Sequence, residues 1–391
     1  MTLTSDLVTP GDLAHWRAEY PILATSCYLS CHSLGAVPRQ TAHELARYHA
    51  EWATLGISAW EGPWWRAFED FSADLERLLD AARGTVVPMQ NATQGMAAVA
   101  SCFDWSGPRN GIVMTDGEFT TSYPFWRGVE RLGARITIVP SRDKVDVPPE
   151  DFARAIDAST ALVATSHVYF RSGAVADLGR IAALAHAQGA LVLGDGYQAV
   201  GAVPTSVRAL DLDFYVAGCH KYLSGGAGAG FLYVRPELAQ TLEPRLTGWF
   251  GLADPFAYEP RLDGGPRHTG IRRFLNGTPN IPGIYAARAG LANVLAAGMP
   301  AIRAASLALT DVLFDGARAR GFAVKTPRDP ARRGGMVCLD FPGAEAACRA
   351  LVERGVIVDY RPDCGLRVSP HFYSTAGDLE RFFATLDQVR R

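Results

Sequence analysis

The sequence has no excess of charge of either sign: 38 Lys and Arg stand against 40 Asp and Glu, a formal net charge of −2 over 391 residues. Such a balance leaves no electrostatic footprint for nucleic acid or for an anionic membrane. No stretch of about 20 apolar residues runs without a charge, so nothing reads as a membrane span. The opening MTLTSDLVTPGDLAHWRAEY lacks a basic start followed by an apolar run, and no secretory signal is expected. Seven cysteines (27, 31, 102, 219, 338, 348 and 364) form an odd, scattered set without a CxxC pair. That pattern speaks against a disulfide framework and for reduced thiols. Cys27, Cys31 and His32 lie close together but lack the second ligand pair of a zinc site, so no metal is expected. Repeats and low-complexity segments are absent too. What these absences leave is a soluble, cytoplasmic protein.

The composition, 48% hydrophobic and 20% charged with 39 glycines and 24 prolines, allows one large α/β domain with a smaller companion. Between residues 83 and 235, β-rich runs alternate with alanine-rich amphipathic ones. Residues 112–117, 134–141, 160–170, 190–196, 213–220 and 229–234 read as strands. Residues 175–189 read as a helix stopped by Gly189. Strand, helix and strand in alternation imply right-handed crossovers and a mostly parallel sheet. Beyond about residue 290 the texture changes. Helices at 284–298 and 301–321 precede a strand at 336–341, a helix at 344–355, strands VIVDY and LRVSP, and a helix at 378–391. The expected division is an N-terminal segment (1–50) that packs with the small domain or covers the cleft, a large α/β domain (51–285) and a small α+β domain (286–391).

In open parallel sheets, ligands bind at the carboxyl ends of strands. Asp195 ends one apolar strand, and Lys221 follows another, just before the glycine-rich GGAGAG. A buried carboxylate is costly unless a cation meets it, and a lysine so placed can form an imine or move protons. Alone, each also reads as ordinary structure, a helix-capping aspartate or a surface lysine at a strand end. Taken with the motifs that follow, the pair favours a site for pyridoxal 5'-phosphate (PLP), with Asp195 on a protonated pyridine nitrogen and Lys221 on the aldehyde.

The segment DGYQAVGAVPTSVRALDLDFYVAGCHKYLSGGAGAGFLYV (195–234) resembles the aspartate-to-lysine segment of fold-type I PLP enzymes of the class V aminotransferase superfamily. YLSCHSLGAVPR (28–39), HVYFRSGAVADL (167–178), LTGWFG (246–251) and VIVDYRPDCGLRVSPHFY (356–373) are similar, in order, to segments of kynureninases. The resemblance implies the fold-type I architecture, a large domain with a mostly parallel sheet and a small α+β domain. It also implies a homodimer with PLP at the subunit interface, acting on a small amino acid. Lys221 would carry the cofactor as its Schiff-base lysine and Asp195 would pair with the ring nitrogen. Phe119 would stack on the ring. Ala92 and Thr93 would meet the phosphate at a helix N-terminus, where physics favours an anion. Trp249 and Thr278 would reach the phosphate from the neighbouring subunit. Arg367 would grip the substrate α-carboxylate, a task that suits a planar guanidinium. His32 and Ser33 would line the substrate pocket or simply pack.

Two positions depart from the kynureninase pattern. Gln198 stands where those enzymes have histidine, and His220 where they have a tyrosine engaged in proton transfer. DG-x-Q, HK and GTPN are similar instead to cysteine desulfurases, which implies a Gln198 contact with the cofactor's phenolic oxygen and a His220 contact with its phosphate. The histidine that kynureninases set against the substrate ring falls near Ile57. The desulfurase pattern needs a nucleophilic cysteine on a loop well before Arg367. The loop here has none, and Cys364 lies too near the strand. The expected reaction is hydrolytic Cβ–Cγ cleavage of a kynurenine-like amino acid. A C–S lyase or β-elimination and class V transamination are the alternatives. Trp60, Trp64 and Trp65 read either as a wall for an aromatic substrate or as an interface.

Overall fold

The protein is described here by a computed structural model covering residues 13–390. Its centre is a seven-stranded sheet: β2 (Val86–Met89), β3 (Gly111–Thr115), β4 (Arg135–Val139), β5 (Thr160–Ser166), β6 (Leu191–Asp195), β7 (Phe214–Gly218) and β8 (Gly230–Val234). The spatial order is β2-β8-β7-β6-β5-β3-β4, and only β8 runs against its neighbours. β5 and β7 are buried along their whole length, as parallel strands covered on both faces should be. β4, at the edge, exposes Arg135, Thr137 and Ile138. The six strands read from the sequence are all present.

The helix read at 175–189 begins later, at Leu178. Asp177 caps it by accepting a hydrogen bond from Arg180 N–H at 3.0 Å, and Val175 before the cap bridges back to Val168. Leu178, Ile181, Ala182 and Ala185 form its buried stripe. Gly189 takes φ +72° and ends it as expected.

VIVDY is not one strand. β11 (Val356–Ile357) pairs in parallel with β1 (Cys27–Tyr28), while β12 (Asp359–Arg361) turns into an antiparallel hairpin with β13 (Gly365–Val368). With β10 (Val337–Asp340) and β9 (Ala323–Val324) they make a four-stranded sheet of order β12-β13-β10-β9. The β1–β11 pairing and the Ser30–Ser369 bridge tie the N-terminal segment to the C-terminal part of the chain.

The apolar residues fall into two clusters. One surrounds the large sheet and takes in the helix Ile281–Ala297. The other lies between the four-stranded sheet and the helices Met299–Ala319, Ala344–Glu353 and Ala376–Val389. The helix Met299–Ala319 serves both, through Ile302 and Ala305 in the first cluster and Leu309 and Leu313 in the second. Among the described residues no single helix is long and apolar enough to cross a membrane, and this helix meets Ile281–Ala297 at an 85° bend.

Candidate active site

Five strand ends converge at one rim of the large sheet. β2 delivers Asn91, Ala92 and Thr93, and β3 delivers Phe119. β5 ends in Ser166, β6 in Asp195, and β7 leads through Gly218 to His220 and Lys221. Between them lies a cavity of about 190 Å³, lined by Asn91, Ala92, Thr93, Met96, Phe119, Thr121, Asp195, Tyr197, His220 and Lys221. Six of the residues expected at the cofactor therefore meet in one place.

Asp195 is 8% exposed, and its Oδ1 accepts a hydrogen bond from Tyr197 N–H at 2.9 Å. No ion pair reaches it among the described residues. Burial raises its carboxyl, with the Tyr197 N–H and the Lys221 charge pulling the other way. Lys221, also 8% exposed, has its Nζ 4.7 Å from the Tyr197 ring centroid and 5.4 Å from that of Phe119. Burial lowers its amine to about 8, against the raising effect of Asp195. A buried carboxylate short of a cation and a buried lysine short of an anion border one cavity, and each offers what a pyridinium aldehyde needs.

The anion end fits as well. Asn91 caps the helix Ala92–Ala100 by accepting from Gln94 N–H at 3.0 Å, so Ala92 and Thr93 present first-turn N–H groups at the cavity wall. Phe119 is held in place by its neighbour. The Glu118 carboxylate is fully buried and accepts from Thr115 Oγ1 (2.6 Å), Thr165 Oγ1 (2.9 Å), Ser166 N–H (2.8 Å) and Ser166 Oγ (2.6 Å). Burial raises this carboxyl to about 7 despite those donors.

A second cluster lies nearby. Arg367 is buried. Its Nε and Nη2 donate to the two oxygens of Asp359 at 2.8 and 2.5 Å, and its Nη1 donates to the Phe170 carbonyl at 2.9 Å. Phe170 in turn meets Phe119 edge to face at 5.2 Å. The same Asp359 Oδ1 lies 2.9 Å from His32 Nε2. Burial alone would raise the Asp359 carboxyl, but hydrogen bonds from His32 and Arg367 hold it far below the usual range. Burial, then Arg367, lowers His32 to about 4. His32 is therefore a neutral donor that locks Asp359, which in turn locks the guanidinium plane.

Other expected residues lie apart from the cavity. Gln198 is buried, with its Nε2 donating to the His32 carbonyl at 3.0 Å and its Oε1 without a partner among the described residues. Ser33, next to His32 in the chain, is half-buried, its N–H bonded to the Ser30 carbonyl. Thr278 lies in a cleft with Gln94 and Gly228. Trp249 lies in another, among Leu252, Pro255 and Tyr258. Ile57 is exposed. Trp60 and Trp65 pack on Phe250 at 6.0 and 5.8 Å, and Trp64 stacks on Tyr48 at 5.2 Å, so none of the three lines the cavity. Gly35, in the YLSCHSLGAVPR segment, donates its N–H to the His220 carbonyl at 2.7 Å. A Cβ there would sit 2.1 Å from the Lys221 carbonyl, so only glycine lets that segment press on the lysine. Sequence reasoning missed Tyr197, Glu118 and Asp359.

Carboxylate, lysine, aromatic wall and capped helix N-terminus at the carboxyl rim of a parallel sheet define a PLP-dependent enzyme of the fold-type I class. When bound, PLP supplies an aldehyde for amine capture and a ring that draws electrons from the substrate Cα. The chain belongs to the class V aminotransferase family, whose model matches residues 28–382. It is similar to a kynureninase of Pseudomonas fluorescens, 33% identical over 382 residues that cover 92% of this chain and 89% of that protein. An uncharacterized aminotransferase of Bacillus subtilis is 28% identical, with 93% and 94% covered. The apo structure of a cysteine desulfurase from Thermococcus onnurineus shares the fold, with a TM-score of 0.86 at 21% identity, covering 100% of this chain and 99% of that one.

The depressed Lys221 amine has a kinetic consequence. Only the neutral amine attacks an aldehyde, so the rate of imine formation on the PLP-free protein should rise with pH up to about 8 and then level. An ordinary lysine would keep gaining to about 10.4. Stopped-flow absorbance after mixing with PLP from pH 6 to 10 reads this, and a rate still climbing at pH 10 would contradict the burial argument.

Proposed function

We propose that this enzyme hydrolyses the Cβ–Cγ bond of a kynurenine-like γ-keto amino acid, releasing alanine and a carboxylic acid. The observation that carries the reading is the 33% identity to a kynureninase across 92% of the chain. The site is compatible with it. Arg367, with its plane fixed by Asp359, takes the substrate α-carboxylate, and Lys221, poised near neutrality, removes the Cα proton. His220, half-buried beside it with its pKa lowered by burial and by Lys221, is the group placed to hold or return a proton. Persulfide chemistry has no support here. Cys364 lies buried at the β12–β13 turn, its thiol raised by burial, and a free thiolate is what a sulfur acceptor needs.

The active unit in this reading is a homodimer. Trp249 and Thr278 lie outside their own chain's cavity, as residues destined for a neighbour's phosphate would. Beside Trp249 the chain exposes Phe256 and Tyr258, an apolar surface for a second copy to cover.

His220 standing where a tyrosine is the pattern favours a second reading, β-elimination or C–S cleavage, or transamination, from the same Cα carbanion. Product analysis with L-kynurenine and 3-hydroxykynurenine separates them. Alanine with the matching anthranilate establishes the hydrolase, and pyruvate with ammonia establishes elimination. A strict need for a keto acid establishes transamination. If His220 limits kynurenine cleavage, His220→Tyr should raise kcat/KM for kynurenine by roughly tenfold or more, within the range that a positioned acid–base group supplies. No change would remove that explanation.

A further inference from the structure

Tyr197 lines the cavity, yet neither the resemblance nor the relatives give it a task. Its Oη lies 3.1 Å from His220 Nδ1, and the two rings sit 5.1 Å apart at 59°. Its backbone is pinned to Asp195 by the 2.9 Å bond to Oδ1. The space for the phenol is provided two residues before the histidine. A Cβ on Gly218, at the end of the buried strand β7, would lie 1.9 Å from Tyr197 Oη and 2.1 Å from Cζ. The phenol of Tyr197 therefore fits only while residue 218 is glycine.

Resting on the PLP reading of the cavity, we propose that Tyr197 is a positioning residue. It donates its hydroxyl hydrogen to His220 Nδ1, and so holds the imidazole in its neutral Nε2–H form as a donor for the cofactor's phosphate.

The chemistry of the ring selects this direction. A neutral imidazole has one N–H and one lone pair. If Nδ1 carried the hydrogen toward the phenol, Nε2 would present a lone pair to a cavity whose helix N-terminus at Ala92 and Thr93 is built for an anion, and the two would repel. With the hydrogen on Nε2, the imidazole joins the first-turn N–H groups of Ala92 and Thr93 as a donor. Burial and the adjacent Lys221 both oppose protonation of His220, so a neutral donor is the form the site supports. Fixing the tautomer through the far ring nitrogen is the way a second residue commonly orients a histidine.

The test is a double-mutant cycle on PLP affinity, read by absorbance on PLP-free protein, with Tyr197→Phe, His220→Gln and the pair. Tyr197→Phe keeps the ring and its packing and should weaken PLP binding by roughly three- to tenfold, the range of one hydrogen bond. The double variant should bind within about twofold of His220→Gln alone, because the hydroxyl acts only through the histidine. Losses that multiply, or a Tyr197→Phe variant with unchanged affinity, overturn the proposal. Nitrogen-15 spectra of His220 in PLP-free protein give an independent reading. The wild type should show protonated Nε2 and bare Nδ1, and both Tyr197→Phe and Gly218→Ala, which expels the phenol, should show a tautomer mixture. A wild type protonated at Nδ1 overturns the proposal whatever the affinities. If wild-type protein binds no PLP at all, the PLP reading falls and this inference with it. If it binds PLP and the losses multiply, only the Tyr197–His220 coupling falls.

Discussion

Asp195→Asn should lower turnover by roughly 10²- to 10⁴-fold while leaving the fold intact. The substitution keeps the size and shape of the side chain and its acceptor for Tyr197 N–H, and removes only the charge. That charge is what makes the site. A cationic ring nitrogen held at the end of β6 would need a carboxylate, and removing one partner of a buried pair costs about 3–5 kcal/mol, which is the stated rate loss. The sign for stability is opposite. The Asp195 carboxyl is raised in the folded protein, so the stability it contributes is present below its unfolded pKa and is lost as pH rises above that value. At pH 7 the PLP-free Asp195→Asn protein should therefore melt higher than wild type. Saturating-PLP kinetics and a thermal melt of the PLP-free form read both effects. Activity within tenfold of wild type, or a lower melting temperature, would contradict this account of Asp195.

Lys221→Ala should be the most damaging single change, lowering turnover on the order of 10⁴-fold, the upper end of what one positioned base contributes. In the proposed reaction it removes the group that captures the aldehyde and the group that takes the Cα proton at once. Protein stability should not fall with it, because burial disfavours the charged Lys221 amine, lowering it to about 8, and the substitution removes that cost. Added amines should restore part of the rate, since the cavity then accommodates a small base where the side chain was. A variant retaining more than a hundredth of wild-type turnover would show that another base does the work.

The large sheet and the Asp195–Lys221 pair were legible because their signals are local. Apolar runs of strand length end in polar residues, and alanine-rich stripes between them force crossovers. The β11 and β12 strands were not, because two- and three-residue strands carry no period and the chain changes partners at Val358. Asp359 was hidden for the same reason. Once the hairpin register is known, Asp359 stands directly opposite Arg367, an opposite-charge cross-strand pair. Tyr197 looked like an ordinary aromatic in DGYQ, since its partner is 23 positions away and its space comes from a missing side chain at Gly218. Glu118 was passed over for Phe119 next to it, although a buried network of hydroxyls around a carboxylate is what fixes that loop. The chain has only three lysines, at 144, 221 and 325, and Lys221 alone follows an apolar strand into a glycine-rich turn.

That scarcity makes the most direct test simple. Lys144 is largely exposed and Lys325 partly so, and both face aspartates, whereas Lys221 borders the cavity. Borohydride reduction of the PLP-loaded enzyme converts a lysine imine to a stable secondary amine, and peptide mass mapping then locates it. The account predicts one modified site, Lys221, lost entirely in Lys221→Ala. Label on Lys144 or Lys325, or PLP bound with no lysine modified, would contradict it.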